Sequence, residues 1–354
     1  MYYRSVLIFI NSDVGGAERM SVYISKMLIH AGIQVSYVII KNKENAASVI
    51  GFLPPEHQVV VVETNNHFDK IRQFYLAIKK LNPDVVFSSH YSINDKLLLL
   101  KPFFRRIRFV IRSDNYYYTY SQKGKAIIQL TYRMADVMIV QTSEMKDEFI
   151  RHGVMPDIKI FALENPVDKE NLDAKVADAV SPYPEDGKKH IVAVGRFAYQ
   201  KGYDYLVTAF AQLFKRNQNV ELYIVGANTK KWKPEYDRII TIIQHLDIEN
   251  AVHCVGYQDN PYRYVKYADI FVLSSRWEGL PNVLAEALYL KTPAAAFKCI
   301  PIVERMVRNG VDGFLAEKED VNGLTNAMEN ALTLGRTSPV YVGASEDDFV
   351  KLFK

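Results

Sequence analysis

Asp269-Ile270-Phe271-Val272-Leu273-Ser274-Ser275 runs directly into Arg276-Trp277-Glu278-Gly279-Leu280-Pro281-Asn282-Val283-Leu284-Ala285-Glu286-Ala287-Leu288. The first seven residues form an apolar run bounded by polar ones, the pattern of a parallel strand buried on both faces. Gly279 supplies a turn, Pro281 suits the first position of a helix, and Val283 to Leu290 continue as that helix. Strand, loop and helix are therefore predicted, with the helix N-terminus at the carboxyl end of the strand. Such an end offers N–H groups and a partial positive charge, which favour a phosphate. Glu278 in the loop and Glu286 two turns into the helix frame it, and carboxylates accept hydrogen bonds from hydroxyls. A phosphate-ready helix end between two hydroxyl acceptors is the chemistry of a nucleotide sugar. A capped helix with one solvated glutamate is the plainer alternative.

Glu278 and Glu286, seven residues apart inside, enclose Gly-Leu-Pro-Asn and follow a buried-type strand. This arrangement resembles the signature of retaining glycosyltransferases of the GT-B fold, above all the bacterial group 4 enzymes of surface polysaccharide and lipopolysaccharide synthesis. The resemblance implies an α/β protein of two Rossmann-like domains facing a cleft. It also implies a donor held mainly by the second domain.

The 354 residues suffice for two cores. Cys254 and Cys299 lack the spacing of a metal site and suit a reducing compartment as isolated thiols. No run reaches transmembrane length and no signal-peptide pattern opens the chain, so the expected location is cytoplasmic. Net charge is +4, but residues 1–170 carry 22 Lys and Arg against 17 Asp and Glu, while the remainder carries 22 against 23. The basic excess lies in the first half.

Ser5–Ile10 reads as the first strand and is followed by Asn11-Ser12-Asp13-Val14-Gly15-Gly16-Ala17-Glu18 and a helix to about His30. Gly15 and Gly16 allow close backbone approach and positive φ. The pattern is not the Gly-x-Gly-x-x-Gly dinucleotide fingerprint. In the resembled family, Gly-Gly-Ala-Glu at this place faces the donor diphosphate and acceptor. Further strands are predicted at Val35–Ile40, Val59–Glu63, Asp84–Ser89, Arg108–Ile111 and Val137–Gln141, with helices between several of them, which argues a parallel sheet. His90, Arg112 and Asp114 follow two of these strands, where ligands of open α/β sheets bind. They are candidates for the acceptor or sugar side, against a plain reading as polar strand ends. Many relatives carry a histidine near the Arg112-Ser113-Asp114-Asn115 position.

Leu97 to Arg108 reads Leu-Leu-Leu-Leu-Lys-Pro-Phe-Phe-Arg-Arg-Ile-Arg, and Lys96 to Arg112 holds six basic residues and no acidic one. Bulky apolar groups interleaved with arginine suit an anionic membrane interface. Core helix, solvated loop and core strand form the alternative. Nucleic acid is not an expected partner, since no recognised motif or strong basic excess is present.

Asn165-Pro166-Val167-Asp168 resembles the family's crossover, which sets the domains at 1–168 and 169–335, with a tail at 336–354 that returns toward the first. Residues 170–188 read as a linker or surface segment. His190–Gly195 is a new first strand. Arg196 and Lys201 in the loop after it resemble the family's diphosphate clamp, Gly-Arg followed by Lys-Gly. Arginine binds phosphate as a fork and lysine as a point charge. The turn at Gly256-Tyr257-Gln258 lies beside the nucleobase in the family.

The resulting expectation is a retaining transferase that moves a hexose or N-acetylhexosamine from a nucleotide sugar, UDP-linked for preference, to a lipid-linked saccharide at the inner membrane face. Arg196, Lys201 and Glu278 carry the chemistry. Gly15, Gly16, Tyr257, Gly279, Leu280, Asn282, Val283 and Glu286 complete the donor site. No metal or other cofactor is expected, and no Asp-x-Asp occurs. The competing readings are a sugar-nucleotide epimerase or phosphorylase, and a non-catalytic GT-B partner subunit.

Overall fold

Alternating apolar strands and amphipathic helices build two parallel sheets. A computed structural model describes residues 5–12, 15–41, 49–54, 57–64, 66–227, 229–336, 341 and 343–354. Asp13 and Val14, between the first strand and helix, lie outside these residues. The chain divides into two compact units, Met1–Pro166 with Gly343–Lys354, and Val167–Val342.

The first unit contains β1 (Ser5–Asn11), β2 (Gln34–Lys41), β3 (Gln58–Glu63), β4 (Val85–Ser88), β5 (Arg108–Arg112), β6 (Val137–Val140) and β7 (Ile160–Ala162). They pair in the order β3-β2-β1-β4-β5-β6-β7, every pairing parallel. Helices α1 (Gly16–His30), α2 (His67–Leu81), α3 (Tyr91–Leu98), α4 (Gln122–Thr131) and α5 (Ser143–Arg151) connect them. Side chains start several of these helices by accepting a backbone N–H: Asn66 for α2, Ser121 for α4 and Thr142 for α5. The inner strands β1, β2, β4, β5 and β6 are buried on both faces, which is why they read as continuous apolar runs, whereas the edge strand β3 leaves Val59 and Val61 exposed.

The second unit opens with α6 (Lys169–Val176) and continues as β8 (Lys189–Val194), α7 (Tyr203–Arg216), β9 (Val220–Val225), α8 (Lys233–His245), β10 (Val252–Gly256), α9 (Tyr262–Tyr267), β11 (Ile270–Leu273), α10 (Asn282–Tyr289), β12 (Ala294–Phe297), α11 (Ile302–Met306), β13 (Gly313–Ala316) and α12 (Val321–Ala331). Its sheet order is β10-β9-β8-β11-β12-β13, again parallel throughout. The last helix, α13 (Glu346–Phe353), belongs to the first unit. Its Phe349 and Phe353 are buried in that core, and Phe353 meets Phe87 edge-on at 5.1 Å. Arg108 Nη1 donates to the Lys354 carbonyl at 2.8 Å.

The reading of residues 170–188 as a linker is corrected. Asp168 caps α6, whose Leu172 and Val176 are buried. Tyr183 is buried too, stacked on His190 at 4.4 Å and donating its hydroxyl to the Tyr264 carbonyl at 2.7 Å. A polar, alanine-rich composition hid a helix with a narrow apolar stripe.

In each sheet the strand order reverses once, between β1 and β4 and between β8 and β11. Connections leave toward opposite faces at such a point, opening a crevice outside the carboxyl ends of the two strands. The predicted site residues gather around these two places.

Candidate functional site

The β8–β11 switch is built on glycine. A Cβ on Gly226 would lie 1.8 Å from the Gly195 carbonyl oxygen, so the ends of β8 and β9 approach more closely than any side chain allows. Gly202 has φ +61, and a Cβ there would lie 2.2 Å from the Ser274 carbonyl oxygen. These absences let the turn at 199–202 lie flat against the loop after β11.

Hydrogen bonds then fasten the two loops. Ser274 Oγ donates to the Lys201 carbonyl at 2.9 Å, and the Arg276 N–H donates to the Gln200 carbonyl at 2.8 Å. Arg276 is 5% exposed, low enough that its charge needs a partner. Its Nη2 donates to Asp204 Oδ2 at 2.6 Å and its Nη1 to the Tyr199 carbonyl at 2.7 Å. The guanidinium lies over the rings of Tyr199 and Tyr205, at 3.8 and 4.3 Å. Burial opposes ionisation of Asp204, but hydrogen bonds and charge from Arg276 and Arg238 outweigh it, so its pKa lies below the ordinary value.

Within this frame Lys201 Nζ donates to Glu278 Oε1 at 2.7 Å. Ser275 Oγ donates to the same oxygen at 2.6 Å, and Gln200 Nε2 reaches Oε2 at 3.4 Å. Glu278 is buried and Lys201 nearly so, which fixes both groups. An ammonium has three N–H groups, so Lys201 retains two for other acceptors. Cys299 lies close by, its thiol pushed up to about 12 by burial and by the Glu278 charge.

Arg196 is exposed, with its guanidinium 5.1 Å from the centre of the Trp232 ring. Among the described residues it forms no ion pair. Tyr257 is half exposed and follows Gly256 at φ +81. Gly279 and Leu280 are buried. Glu286 faces out of α10 and accepts from Tyr262 Oη at 3.4 Å.

The helix entry differs from expectation. Pro281 stands at the N-cap and α10 begins at Asn282. The Asn282 N–H already donates to the Leu280 carbonyl and that of Leu284 to the Pro281 carbonyl. Among the described residues this leaves the Val283 N–H for an anion, so the helix end is a smaller phosphate site than the sequence implies.

The β1–β4 switch in the first unit is assembled differently. Gly15 is extended at φ −109, and neither it nor Gly16 has positive φ, which corrects that expectation. The use of Gly15 is steric, since a Cβ would lie 2.6 Å from Glu18 Oε2. Glu18 is buried and accepts from Asn11 Nδ2 at 3.2 Å. Burial raises its pKa, only partly offset by His90. His90 caps α3, its Nδ1 accepting from the Ser92 N–H at 3.2 Å. Phe9, Ile10, Ala17, Glu18, Ser21, Ser89 and His90 line one recess.

Arg112 is wholly buried at the end of β5. Its Nη2 donates to Asn165 Oδ1 at 2.5 Å, while Nε and Nη1 have no partner among the described residues. Burial pushes its pKa down to about 10, against the opposing pull of Asp114. Asp114 accepts from Asn115 Nδ2 at 2.9 Å.

The basic-apolar stretch separates into two parts. Leu97, Leu98 and Leu100 are core. Lys101 is an internal strut, donating to the Ile107 carbonyl at 2.7 Å and to Asp136 at 2.5 Å. Phe103 is 72% exposed, and Arg105 and Arg106 are exposed beside it. Only these three of the basic and bulky residues from 101 to 106 remain suited to a surface partner. No described helix is long and apolar enough to cross a membrane.

Sequence reasoning missed Arg276, Asp204, Ser275 and Gln200. Ser275 had a local signal, three residues before Glu278. Asp204 had none, because its partner lies far along the chain.

Comparison with known proteins follows the same division. The family described as group 1 glycosyl transferases matches residues 177–342, and glycosyltransferase family 4 matches residues 14–171. The amylovoran biosynthesis glycosyltransferase AmsD of Erwinia amylovora is 24% identical over 336 residues, 94% of this chain and 90% of that protein. An N-acetylgalactosamine-N,N'-diacetylbacillosaminyl-diphospho-undecaprenol 4-alpha-N-acetylgalactosaminyltransferase of Campylobacter jejuni is 24% identical over 209 residues, 59% of this chain and 54% of that protein. Anabaena HepE, solved in complex with UDP and glucose, superposes with a TM-score of 0.76 at 17% identity, covering 94% of this chain and 92% of that one.

Proposed function

From the premise that this chain belongs to the group 1/family 4 glycosyltransferases of the GT-B fold, we propose that it transfers a hexose or N-acetylhexosamine from a UDP-sugar to a lipid-linked saccharide in surface polysaccharide synthesis, with retention at the anomeric carbon. The observation that carries the reading is the Lys201–Glu278 pair, fixed at the β8–β11 switch by Ser275 and by the Arg276–Asp204 brace. Names among the relatives support a lipid-linked acceptor and a surface polysaccharide.

In this mechanism the donor diphosphate lies against Arg196 and Lys201. The exposed Arg196 fork binds it on arrival. The two remaining N–H groups of Lys201 meet the phosphate oxygens that gain charge as the sugar–oxygen bond breaks. Stabilisation is then largest where charge develops, at a group that needs no reorganisation. The Val283 N–H adds a neutral donor. Glu278, already receiving Lys201 and Ser275, accepts from sugar hydroxyls. Glu286 accepts from the ribose hydroxyls, and Tyr257 flanks the base. The acceptor hydroxyl attacks from the leaving-group face, and its proton passes to the departing phosphate. The lysine–arginine pair takes the place of a divalent ion, so transfer proceeds with chelator present. On the first unit, His90, Arg112 and Asp114 serve the sugar or acceptor. Phe103, Arg105 and Arg106 meet the anionic surface that carries the lipid.

The test is nucleotide release from a panel of UDP- and GDP-sugars, in chelator, with and without a polyprenyl-diphosphate-linked saccharide. Release from one UDP-sugar, raised by the lipid acceptor and unaffected by chelator, is expected. Release that requires a divalent ion, or silence across the panel from folded protein, contradicts the proposal.

A further inference from the structure

At the opposite end of the second sheet, the amino ends of β8 and β9 bring a second polar group together. His190 and Glu221 are paired residues on these neighbouring parallel strands, so their side chains share one face. Asp186 reaches the same place from the turn before β8. One nitrogen of His190 and one oxygen each of Asp186 and Glu221 all lie within 4.8 Å of one another. His190 and Glu221 are 7% and 5% exposed, so both are held in place by their surroundings. Among the described residues His190 Nε2 is buried with no hydrogen-bond partner, and Asp186 Oδ1 stands 3.9 Å from it. A buried imidazole nitrogen left unsatisfied beside two carboxylates is a costly arrangement for a side chain with only a packing role.

We propose that Asp186, His190 and Glu221 bind a divalent transition-metal ion of the zinc class. Three protein ligands of one nitrogen and two oxygens, with water in the fourth position, suit that ion. Ligand atoms about 2.1 Å from zinc stand roughly 3.4 Å apart in a tetrahedron. The observed separations therefore close by about an ångström, a movement open to Asp186 because it lies in an exposed turn. The existing contacts leave room for coordination. Lys188 Nζ holds Glu221 Oε1 at 2.6 Å, Tyr223 Oη donates to Oε2 at 2.8 Å, and His253 Nε2 lies 3.1 Å from Oε2. Asp186 Oδ1 accepts the Lys188 N–H at 3.0 Å. Each carboxylate oxygen has two lone pairs; Glu221 Oε2 uses both on Tyr223 and His253, so the oxygen open to the ion is Oε1, which keeps one beside Lys188, as Asp186 Oδ1 does beside the Lys188 N–H. Tyr183, stacked on the His190 ring at 4.4 Å, fixes its orientation.

This ion sits at the strand ends opposite Lys201 and Glu278. It ties the 181–188 turn to the sheet, and it goes beyond the transferase reading without depending on it. Its expected effect is on stability, since an ion that binds only the folded chain shifts unfolding upward.

The test is titration of the full chain, stripped by chelator and free of any histidine tag, with Co²⁺ followed by visible absorption. Zn²⁺ competition and the unfolding temperature are read in parallel. One saturable Co²⁺ per chain with the strong absorption of four-coordination is expected, displaced by Zn²⁺ and accompanied by a higher unfolding temperature. His190→Phe keeps a ring against Tyr183 and should weaken binding by at least roughly tenfold, and the exposed Asp186→Asn should do likewise. Absence of saturable binding, or equal binding by wild type and both variants, overturns the site.

Discussion

The two switch points of this protein solve the same problem in opposite ways. At β8–β11 most polar groups are engaged with one another, although Arg276 Nε and Asp204 Oδ1 are buried without a partner among the described residues. Lys201 meets Glu278, Arg276 meets Asp204, and glycines at 195, 202 and 226 remove the side chains that would hold the loops apart. At β1–β4 and the neighbouring end of β5 they are left under tension. Glu18 is buried with its pKa raised, and Arg112 is wholly buried with two nitrogens unpartnered. A preorganised cradle suits a ligand part that is always the same, the diphosphate. Buried groups with unused hydrogen-bonding capacity suit a part whose partner supplies the missing contacts.

The sharpest way to break this contrast is Lys201→Ala. Its ammonium is assigned to charge that grows during transfer, so turnover should fall by about 10²–10³-fold with a smaller change in donor KM. Steady-state kinetics check this, and a loss confined to KM removes Lys201 from the developing charge. Gly226→Ala tests the frame rather than the ligand. With the Gly195 carbonyl 1.8 Å from the new Cβ, it should cost about 3 kcal/mol or more in urea unfolding.

Asp204→Asn sharpens the electrostatic side of the frame. Asp204 has a folded pKa below its ordinary 3.8, so its contribution is complete above that value and is lost as pH falls through the folded pKa. The variant should lose about 2 kcal/mol of stability at about pH 7 and about pH 5 alike. The gap from wild type should narrow only in more acidic solution. A gap that already closes near neutrality contradicts the Arg276–Asp204 assignment.

Arg112→Met addresses the other region. A long apolar chain replaces a charge satisfied at only one nitrogen, so stability should change by less than about 1 kcal/mol. Transfer should nevertheless fall, because the buried guanidinium is assigned to the sugar or acceptor side through the end of β5 that it holds against Asn165. Intact transfer would make Arg112 purely a tie to Asn165. The smallest effects concern the surface stretch. Arg105→Ala with Arg106→Ala should weaken binding to anionic vesicles at low salt, by about 1 kcal/mol per charge, and leave stability unchanged. Lys101→Ala should do the reverse, because Asp136 and the Ile107 carbonyl lose their partner.

Legibility in the sequence follows the same contrast. The inner strands were readable because burial on two faces makes them continuous apolar runs, and the strands predicted from Ser5, Val35, Val59, Asp84, Arg108, Val137, His190 and Asp269 lie within a residue or two of β1 to β6, β8 and β11. The Lys201 and Glu278 loops were readable because each is short and local. The brace was not, since Arg276 and Asp204 pair across 72 residues and nothing near Asp204 marks it. The burial of Arg112 was hidden for the same reason, as Asn165 lies 53 residues away. Lys101 misled in the opposite direction. Its neighbours are basic and apolar, yet its acceptors come from Ile107 and Asp136 and draw it inward.

The most direct measurement is calorimetric titration with UDP and with GDP, using wild type, Lys201→Ala, Glu286→Ala and Arg112→Met. The account predicts that the preferred nucleotide binds wild type and Arg112→Met alike, and binds the Lys201 and Glu286 variants at least about tenfold more weakly. Nucleotide affinity that survives both of those changes and is lost in Arg112→Met would contradict it, and would move the nucleotide to the first unit.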